Sequence, residues 1–133
     1  MPLPGKLHHI EICVSSIEVS LQFWAPFLGR FAYTEHQAWD KGRSYKLDDT
    51  YIVFVQADES SAAAGYDRRR VGLNHLAFCA SSREQVDEIT SWARANDVRV
   101  LYEDRHPFAG GPEHYAVYCE DPDRIKVEVV APT

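Results

Sequence analysis

The residues with the clearest chemical potential are two histidines in matching stretches of the chain. His9 lies in the stretch KLHHIEICVSS, and His75 lies 66 positions later in the stretch GLNHLAFCASS. Each begins an alternating run of apolar residues, which predicts a strand. A unit of about half the chain, present twice, indicates a pseudo-symmetric pair of supersecondary modules. If a two-fold axis relates the modules, both imidazoles can approach it, and imidazole is the commonest metal ligand among side chains.

Glu128 is the third candidate, in the final apolar stretch IKVEVV. Alternation places Val127 and Val129 on one face of the predicted strand and Lys126, Glu128 and Val130 on the other. A carboxylate among valines is costly to bury without a partner, and a cation is one such partner. Two histidines and one carboxylate suit Fe²⁺ in oxygenases, and the same set can hold Zn²⁺, Mn²⁺ or Ni²⁺. The sequence therefore predicts one divalent metal ion, with Fe²⁺ favoured.

Two further side chains are candidate catalytic groups. His114 and Tyr118 share one face of a predicted strand, which we expect to be the face of Glu128. They could act as acid–base groups or support the metal ligands through hydrogen bonds. The alternatives are an exposed surface position for His114 and a packing role for Tyr118. We predict no organic cofactor.

Cysteine usage bears on both the site and the compartment. Cys13 and Cys79 each follow a candidate histidine by four positions, but small buried hydrophobes are the expected role. The total of three cysteines at wide spacings is not a disulfide framework. A reduced, cytoplasmic protein is the expectation.

The elements that must position these residues occur in the same order in both halves. In the first half we predict a strand, then a helix opened by a capping box at Ser15 and Glu18 and closed by Gly29. In the second half Ser81 and Glu84 repeat the box, and Val86, Ile89 and Ala93 form the inward helix face. The predicted strands cover residues 7–14, 31–39, 43–48, 51–56, 73–80, 98–104, 114–119 and 125–130.

This order predicts an α+β fold. Two tandem βαβββ modules would form a cupped mixed sheet with the helices on its outer face. Residues 1–133 would be a single domain, with module 1 at about 5–57, a linker at about 58–71 and module 2 at about 72–131. The basic cluster Arg68–Arg70 lies in that linker and is expected to be solvated.

Bulk composition excludes some partners. The chain has 133 residues and a formal net charge of −6, which disfavours binding to nucleic acid. No apolar run approaches the roughly 20 residues that cross a bilayer. The first residues lack the long apolar core of a signal peptide. We therefore expect neither a nucleic-acid nor a membrane partner.

The stretches LHHIEICVSSIEVSLQFWAPFLG, LNHLAFCASS and YCEDPDRIKVEVV resemble the vicinal-oxygen-chelate superfamily over nearly the whole chain. This superfamily includes glyoxalase I, bleomycin-resistance proteins, fosfomycin-resistance enzymes, methylmalonyl-CoA epimerase and extradiol dioxygenases. The resemblance implies that His9, His75 and Glu128 are the metal ligands. His9 is favoured over His8 because the family's ligand immediately precedes the apolar residue. Several relatives complete the site with two subunits, so the resemblance also implies a homodimer.

Departures from the family pattern reduce the number of activities that the resemblance implies. Glyoxalase I and the epimerase take a fourth metal ligand from the last strand of module 1, and this chain has Val53 at the matching position. Gln56 is the one alternative ligand in that strand, but alternation places it on the opposite face. The extradiol signature has a tyrosine ten residues before its glutamate, as Tyr118 precedes Glu128. Its histidine lies further from the tyrosine than His114 does, so the match is partial.

Together these features predict a metal-dependent enzyme that acts on a small oxygen-chelating substrate, with a slight preference for a ring-cleavage-type dioxygenase. A glyoxalase- or epimerase-like lyase or isomerase is the alternative. A third reading is a bleomycin-resistance-like binding protein without catalysis.

Overall fold

Each half of the chain folds around its own small sheet. The computed structural model describes all 133 residues, which divide into two compact units, Met1–Gly65 and Tyr66–Thr133. The predicted α+β class is confirmed, with helices packed on one side of each of two mixed sheets. The elements are β1 (His9–Val14), α1 (Ile17–Gly29), β2 (Thr34–Trp39), β3 (Gly42–Leu47), β4 (Thr50–Gln56), α2 (Glu59–Ala62), β5 (His75–Cys79), α3 (Arg83–Ala95), β6 (Ala116–Glu120) and β7 (Lys126–Val130).

The first sheet has the strand order β1-β4-β3-β2. Strand β1 pairs in parallel with β4, and His9 lies opposite Tyr51. Helix α1 packs its aromatic residues against β4, with the rings of Trp24 and Phe54 5.0 Å apart. Strand β2 is the outer edge, and all six of its residues are exposed.

The second sheet repeats this arrangement in the order β5-β7-β6. Strand β5 runs parallel to β7, and β6 runs antiparallel to it. Helix α3 buries Val86, Ile89 and Ala93, as its spacing predicts. The same parallel pairing of first and last strands therefore underlies both units, as the sequence repeat indicates. Whether the two units form the expected single domain stays a prediction.

None of the helices has the length and apolar character needed to cross a membrane.

The strand predicted at residues 98–104 is wrong. Pairing there is limited to one bridge between Val100 and Cys119. The Leu101 N–H still donates to the Tyr118 carbonyl at 2.8 Å. Tyr102 then takes a left-handed conformation with φ of 58°, which turns the backbone out of the ladder. The second sheet consequently has three strands.

The N-cap of each helix lies one residue later than the predicted capping box places it. The Ser16 and Ser82 hydroxyls accept from Val19 N and Gln85 N, so these serines are the N-caps. In α3 the Gln85 side chain adds a second bond, because its Oε1 accepts from the N–H of Ser81, the residue before the N-cap, at 2.7 Å. A glutamine at the third helical position thus assists the cap where a glutamate was expected.

Two predictions about exposure are wrong as well. Cys13 and Cys79 are exposed, since alternation turns them to the face opposite the helices; Cys119 alone is buried. The expectation of a solvated cluster is wrong at Arg68, whose guanidinium contacts the buried Glu120 carboxylate at 2.6 Å. Arg69 and Arg70 are exposed, as expected.

Candidate functional site

Strand register in the second unit brings three of the predicted residues, His75, Tyr118 and Glu128, onto one face. Tyr118 on β6 lies directly opposite Glu128 on β7. On the other side of β7, Ala77 pairs with Glu128 and His75 with Lys126. Residues two apart on a strand share a face, so Lys126, Glu128 and Tyr118 project from the side away from α3.

Glu128 is the centre of a polar cluster. Glu128 is only 5% exposed to solvent, although its side chain is a carboxylate. His75 Nε2 lies 3.0 Å from Oε1, and His114 Nε2 makes a short contact with Oε2. Tyr118 lies directly opposite on β6 and places its phenol beside this carboxylate. Burial of the carboxylate is therefore offset mainly by its contacts with the two imidazoles.

Asn74 fixes the orientation and tautomer of His75. The Asn74 Nδ2 group donates to the Arg68 carbonyl at 3.2 Å, which leaves its Oδ1 facing His75 Nδ1 at 2.8 Å. An amide oxygen only accepts, so Nδ1 must carry a proton. His75 Nε2 then either bears a second proton as imidazolium or points a lone pair at Glu128. If the lone pair of Nε2 faces the carboxylate, a proton or a cation must lie between His75 and Glu128.

Tyr118 is held in its neutral form. Burial is the main cause that raises the pKa of its phenol to about 12, and the negative charge of Glu128 raises it further. At neutral pH the hydroxyl therefore keeps its proton. This arrangement gives the site a proton donor next to a proton acceptor.

A cavity of about 440 Å³ opens beside this cluster. Its polar lining comprises His75, His114, Tyr118 and Glu128, joined by Tyr102, Arg105 and Lys126. Gly110 lies at its edge and has no room for a side chain. A Cβ there would lie 2.5 Å from His114 Cδ2 and 2.7 Å from the Tyr118 hydroxyl. The glycine lets the loop approach both candidate catalytic groups.

His9, the counterpart of His75, is exposed in the first unit. Its ring stacks on Tyr51 with centroids 4.8 Å apart, and its Nδ1 lies 2.9 Å from His8 Nδ1. The His36 ring contacts the same tyrosine at 5.3 Å. The role of His9 as a metal ligand stays a prediction.

The first unit has no carboxylate at the place of Glu128. Val53 pairs with Glu11 as Glu128 pairs with Ala77, so Val53 is the equivalent position, as the sequence predicts. Gln56 points elsewhere: its Oε1 accepts from Ile17 N at 3.0 Å and its Nε2 donates to Ser15 O at 2.7 Å. Neither residue can supply a charged ligand on the open face.

The donors of the second unit fit a divalent cation by their chemistry. The His75 Nε2 lone pair and the Glu128 carboxylate are both good ligands, and Asn74 supplies the supporting bond typical of a metal-binding imidazole. They contact each other directly here, and no group of three or more His, Cys, Asp or Glu side chains is arranged to hold an ion.

Sequence reasoning missed several residues of this site. Lys126 could have been found, since it alternates with Glu128. Asn74 could have been noted as the neighbour of His75. Tyr102 was placed in the strand wrongly predicted at 98–104, and Arg105 and Gly110 lie in a loop region without periodicity.

Comparisons with known proteins agree with this architecture. The chain is 58% identical over 127 residues to the uncharacterized protein YqjT of Bacillus subtilis (strain 168), covering 96% of this chain and 99% of that protein. The crystal structure of a candidate glyoxalase from Bacillus halodurans matches with a TM-score of 0.95 and 55% identity over 96% of both chains. The fosfomycin resistance protein FosX from Listeria monocytogenes matches with a TM-score of 0.70 and 25% identity, over 98% of this chain and 96% of that chain.

The match to a protein family covers nearly the whole sequence. Residues 6–129 correspond to the Glyoxalase/Bleomycin resistance protein/Dioxygenase superfamily. The resemblance in the two histidine stretches and the final strand is thereby confirmed, and the chain belongs to this superfamily.

Proposed function

We propose that the protein is a metal-dependent enzyme whose substrate binds in the cavity of the second unit. The observation that carries this proposal is the convergence of two imidazoles and a phenol on one buried carboxylate. Such a cluster is costly to maintain for stability alone, because a buried charge needs every partner. A titratable group with a raised pKa beside a cavity, such as the Tyr118 phenol, is typical of functional sites.

His75 and Glu128 are the metal ligands in this proposal. His9 remains the third ligand predicted from the repeat, and His114 is the other imidazole beside the carboxylate. The sequence favours Fe²⁺ because this ligand set suits iron oxygenases, whereas a lyase or isomerase would equally use Zn²⁺, Ni²⁺ or Mn²⁺. When bound, the metal would supply Lewis-acid polarisation of a substrate oxygen.

His114 and Tyr118 would orient the substrate and move its protons. The neutral Tyr118 phenol is a hydrogen-bond donor toward a developing negative oxygen. The ring of His114 can take or return a proton at Nε2, the atom that contacts Glu128. These groups perform proton transfer next to an oxygen-bearing carbon.

This geometry favours a lyase or isomerase over the ring-cleavage dioxygenase that the sequence slightly prefers. Two acid–base groups beside one carboxylate are what proton abstraction and return require. The similarity to a candidate glyoxalase at 55% identity supports the same choice. A ring-cleavage dioxygenase remains the second candidate, supported by the spacing of Tyr118 and Glu128. A binding protein without turnover is the third reading.

Metal analysis combined with two substrate panels tests the proposal. Purified protein would be analysed for bound metal, then assayed with adducts of α-keto aldehydes and thiols and, separately, with catechols under air. We expect a bound divalent metal and turnover of the first panel. Turnover of catechols with oxygen uptake would favour the dioxygenase. A protein that binds no added metal and turns over neither panel would contradict the enzyme assignment.

A further inference from the structure

Lys126 places an unpaired positive charge at the wall of the cavity. The side chain is half-buried on β7, and its Nζ donates to the Tyr102 hydroxyl at 3.0 Å. The same ammonium lies 5.1 Å from the ring centroids of both Tyr102 and Tyr118. No carboxylate lies within 4.0 Å of it. Aromatic faces stabilise the charge but do not neutralise it.

Arg105 adds a second cation to the same wall. Its guanidinium carbon lies 5.0 Å from the Tyr102 ring centroid, and it too lacks an ion pair. Both residues line the cavity together with His75 and Glu128. Two like charges gathered on one aromatic ring repel each other unless an anion lies between or beside them.

The fold itself does not require a lysine at this place. In the first unit the residue paired with the leading histidine is Tyr51, whereas in the second unit it is Lys126. The same strand pairing therefore occurs in both sheets, with a tyrosine in the first sheet and a lysine in the second. Ligand binding explains the lysine better than strand packing does.

We infer that Lys126 and Arg105 bind an anionic oxygen group of the substrate, either a carboxylate or a phosphoryl-type group. This inference rests on the proposed function, because it takes the Glu128 end of the cavity as the reacting end. Lys126 and Glu128 are two residues apart on one strand, so their backbone positions are separated by roughly 6–7 Å. The substrate would be a small organic anion whose charged group lies a few bonds from its reacting oxygens.

Binding of simple anions to the full-length protein tests this inference. Lactate, methylphosphonate and the neutral analogue lactamide would be titrated into metal-free and Zn²⁺-loaded protein, with amide chemical shifts as the readout. We expect at least one anion to bind and lactamide to bind more weakly. The tighter of the two anions identifies the charged group as carboxylate or phosphoryl.

Three variants make the result specific. Lys126→Gln should weaken anion binding by roughly tenfold to a hundredfold, the scale of one charged hydrogen bond, and Lys126→Arg should retain it. Lys46→Gln, which removes the same charge from β3 of the first unit, should leave the affinity unchanged. Equal affinity in wild type and Lys126→Gln, or lactamide binding as tightly as lactate, would overturn the inference.

The same titrations separate this inference from the proposed function. Loss of anion binding in Lys126→Gln with no metal bound by wild type would sustain the anion site while rejecting the metal enzyme. Normal metal binding by a wild type that binds neither anion would reject the anion site alone.

Discussion

Tyr118 and Glu128 lie directly opposite each other on antiparallel strands, and burial together with the charge of the carboxylate raises the pKa of the phenol to about 12. In the proposed enzyme the same hydroxyl would also face the substrate. This pairing thus places the proton donor of the site beside the metal-ligand candidate.

Removing this hydroxyl should affect turnover more than stability. Tyr118→Phe keeps the shape of the ring and loses only its hydroxyl, so the melting temperature and metal content should stay nearly unchanged. Turnover should fall by about tenfold to a thousandfold, the usual scale for one positioned donor. Tyr115→Phe is the matched control, because the Tyr115 hydroxyl contacts Asp87 outside the cavity. Unchanged turnover in Tyr118→Phe would leave Tyr118 with a packing role only.

Metal occupancy should depend on His75. His75→Ala removes an imidazole whose tautomer Asn74 fixes, and it leaves Glu128 with one fewer partner. We expect metal binding, measured by elemental analysis after dialysis, to weaken sharply. His36→Ala in the first unit should retain full occupancy. Full occupancy in His75→Ala at stoichiometric metal would show that the ligand assignment is wrong.

The other two histidines can be ranked in the same experiment. His9→Ala should lose metal if the sequence repeat marks a ligand, and His114→Ala should keep metal but lose turnover if that imidazole is an acid–base group. The reverse pattern would make His114 the ligand and remove His9 from the site.

Gly110 should not tolerate a side chain. The added Cβ of Gly110→Ala would meet His114 and Tyr118, so both rings must shift. Overpacking of this kind typically costs about 1–3 kcal/mol, and we expect turnover to fall at least tenfold while the protein stays folded. Gly29→Ala is the control, because nothing lies within 4 Å of its Cβ position. Wild-type kinetics for Gly110→Ala would argue against a close approach of the loop to the site.

The three cysteines should differ in reactivity. Cys13 and Cys79 are exposed, whereas burial raises the pKa of Cys119 to about 12. The thiolate is the reactive form, so Cys119 should resist modification in the native protein. A thiol-reactive dye with mass spectrometry should label two sites before unfolding and three after. Labelling of Cys119 in the native protein would mean that the second sheet opens readily.

Assembly into a homodimer is also expected. Strand β2 exposes all six residues along an unpaired edge, and such edges are usually covered. Sedimentation at micromolar protein should report a dimer. A monomer whose sedimentation does not change with concentration would contradict this prediction.

Periodic features of the sequence predicted the fold well. The repeat around His9 and His75 identified the paired modules, and alternation placed Tyr118 and Glu128 on one face. The strand at 98–104 failed because the left-handed turn at Tyr102 depends on tertiary packing that no local pattern records. His114 was predicted as a candidate, but on a strand that in fact begins at Ala116. It follows a turn in which its N–H donates to Gly111 O at 3.1 Å, and this turn brings its ring to Glu128.

The bond from Asn74 to the Arg68 carbonyl has a consequence for how the protein can vary. Loops between modules usually tolerate insertions, because their length matters little to the elements on either side. Here the Arg68 carbonyl in that loop holds the Asn74 side-chain amide, and the amide oxygen fixes the proton on His75 Nδ1. Inserting one residue between Arg68 and Asn74 would leave both sheets intact but would break the hydrogen bonds that orient the His75 imidazole. The spacing from Arg68 to Asn74 is therefore expected to be as invariant as the histidine itself.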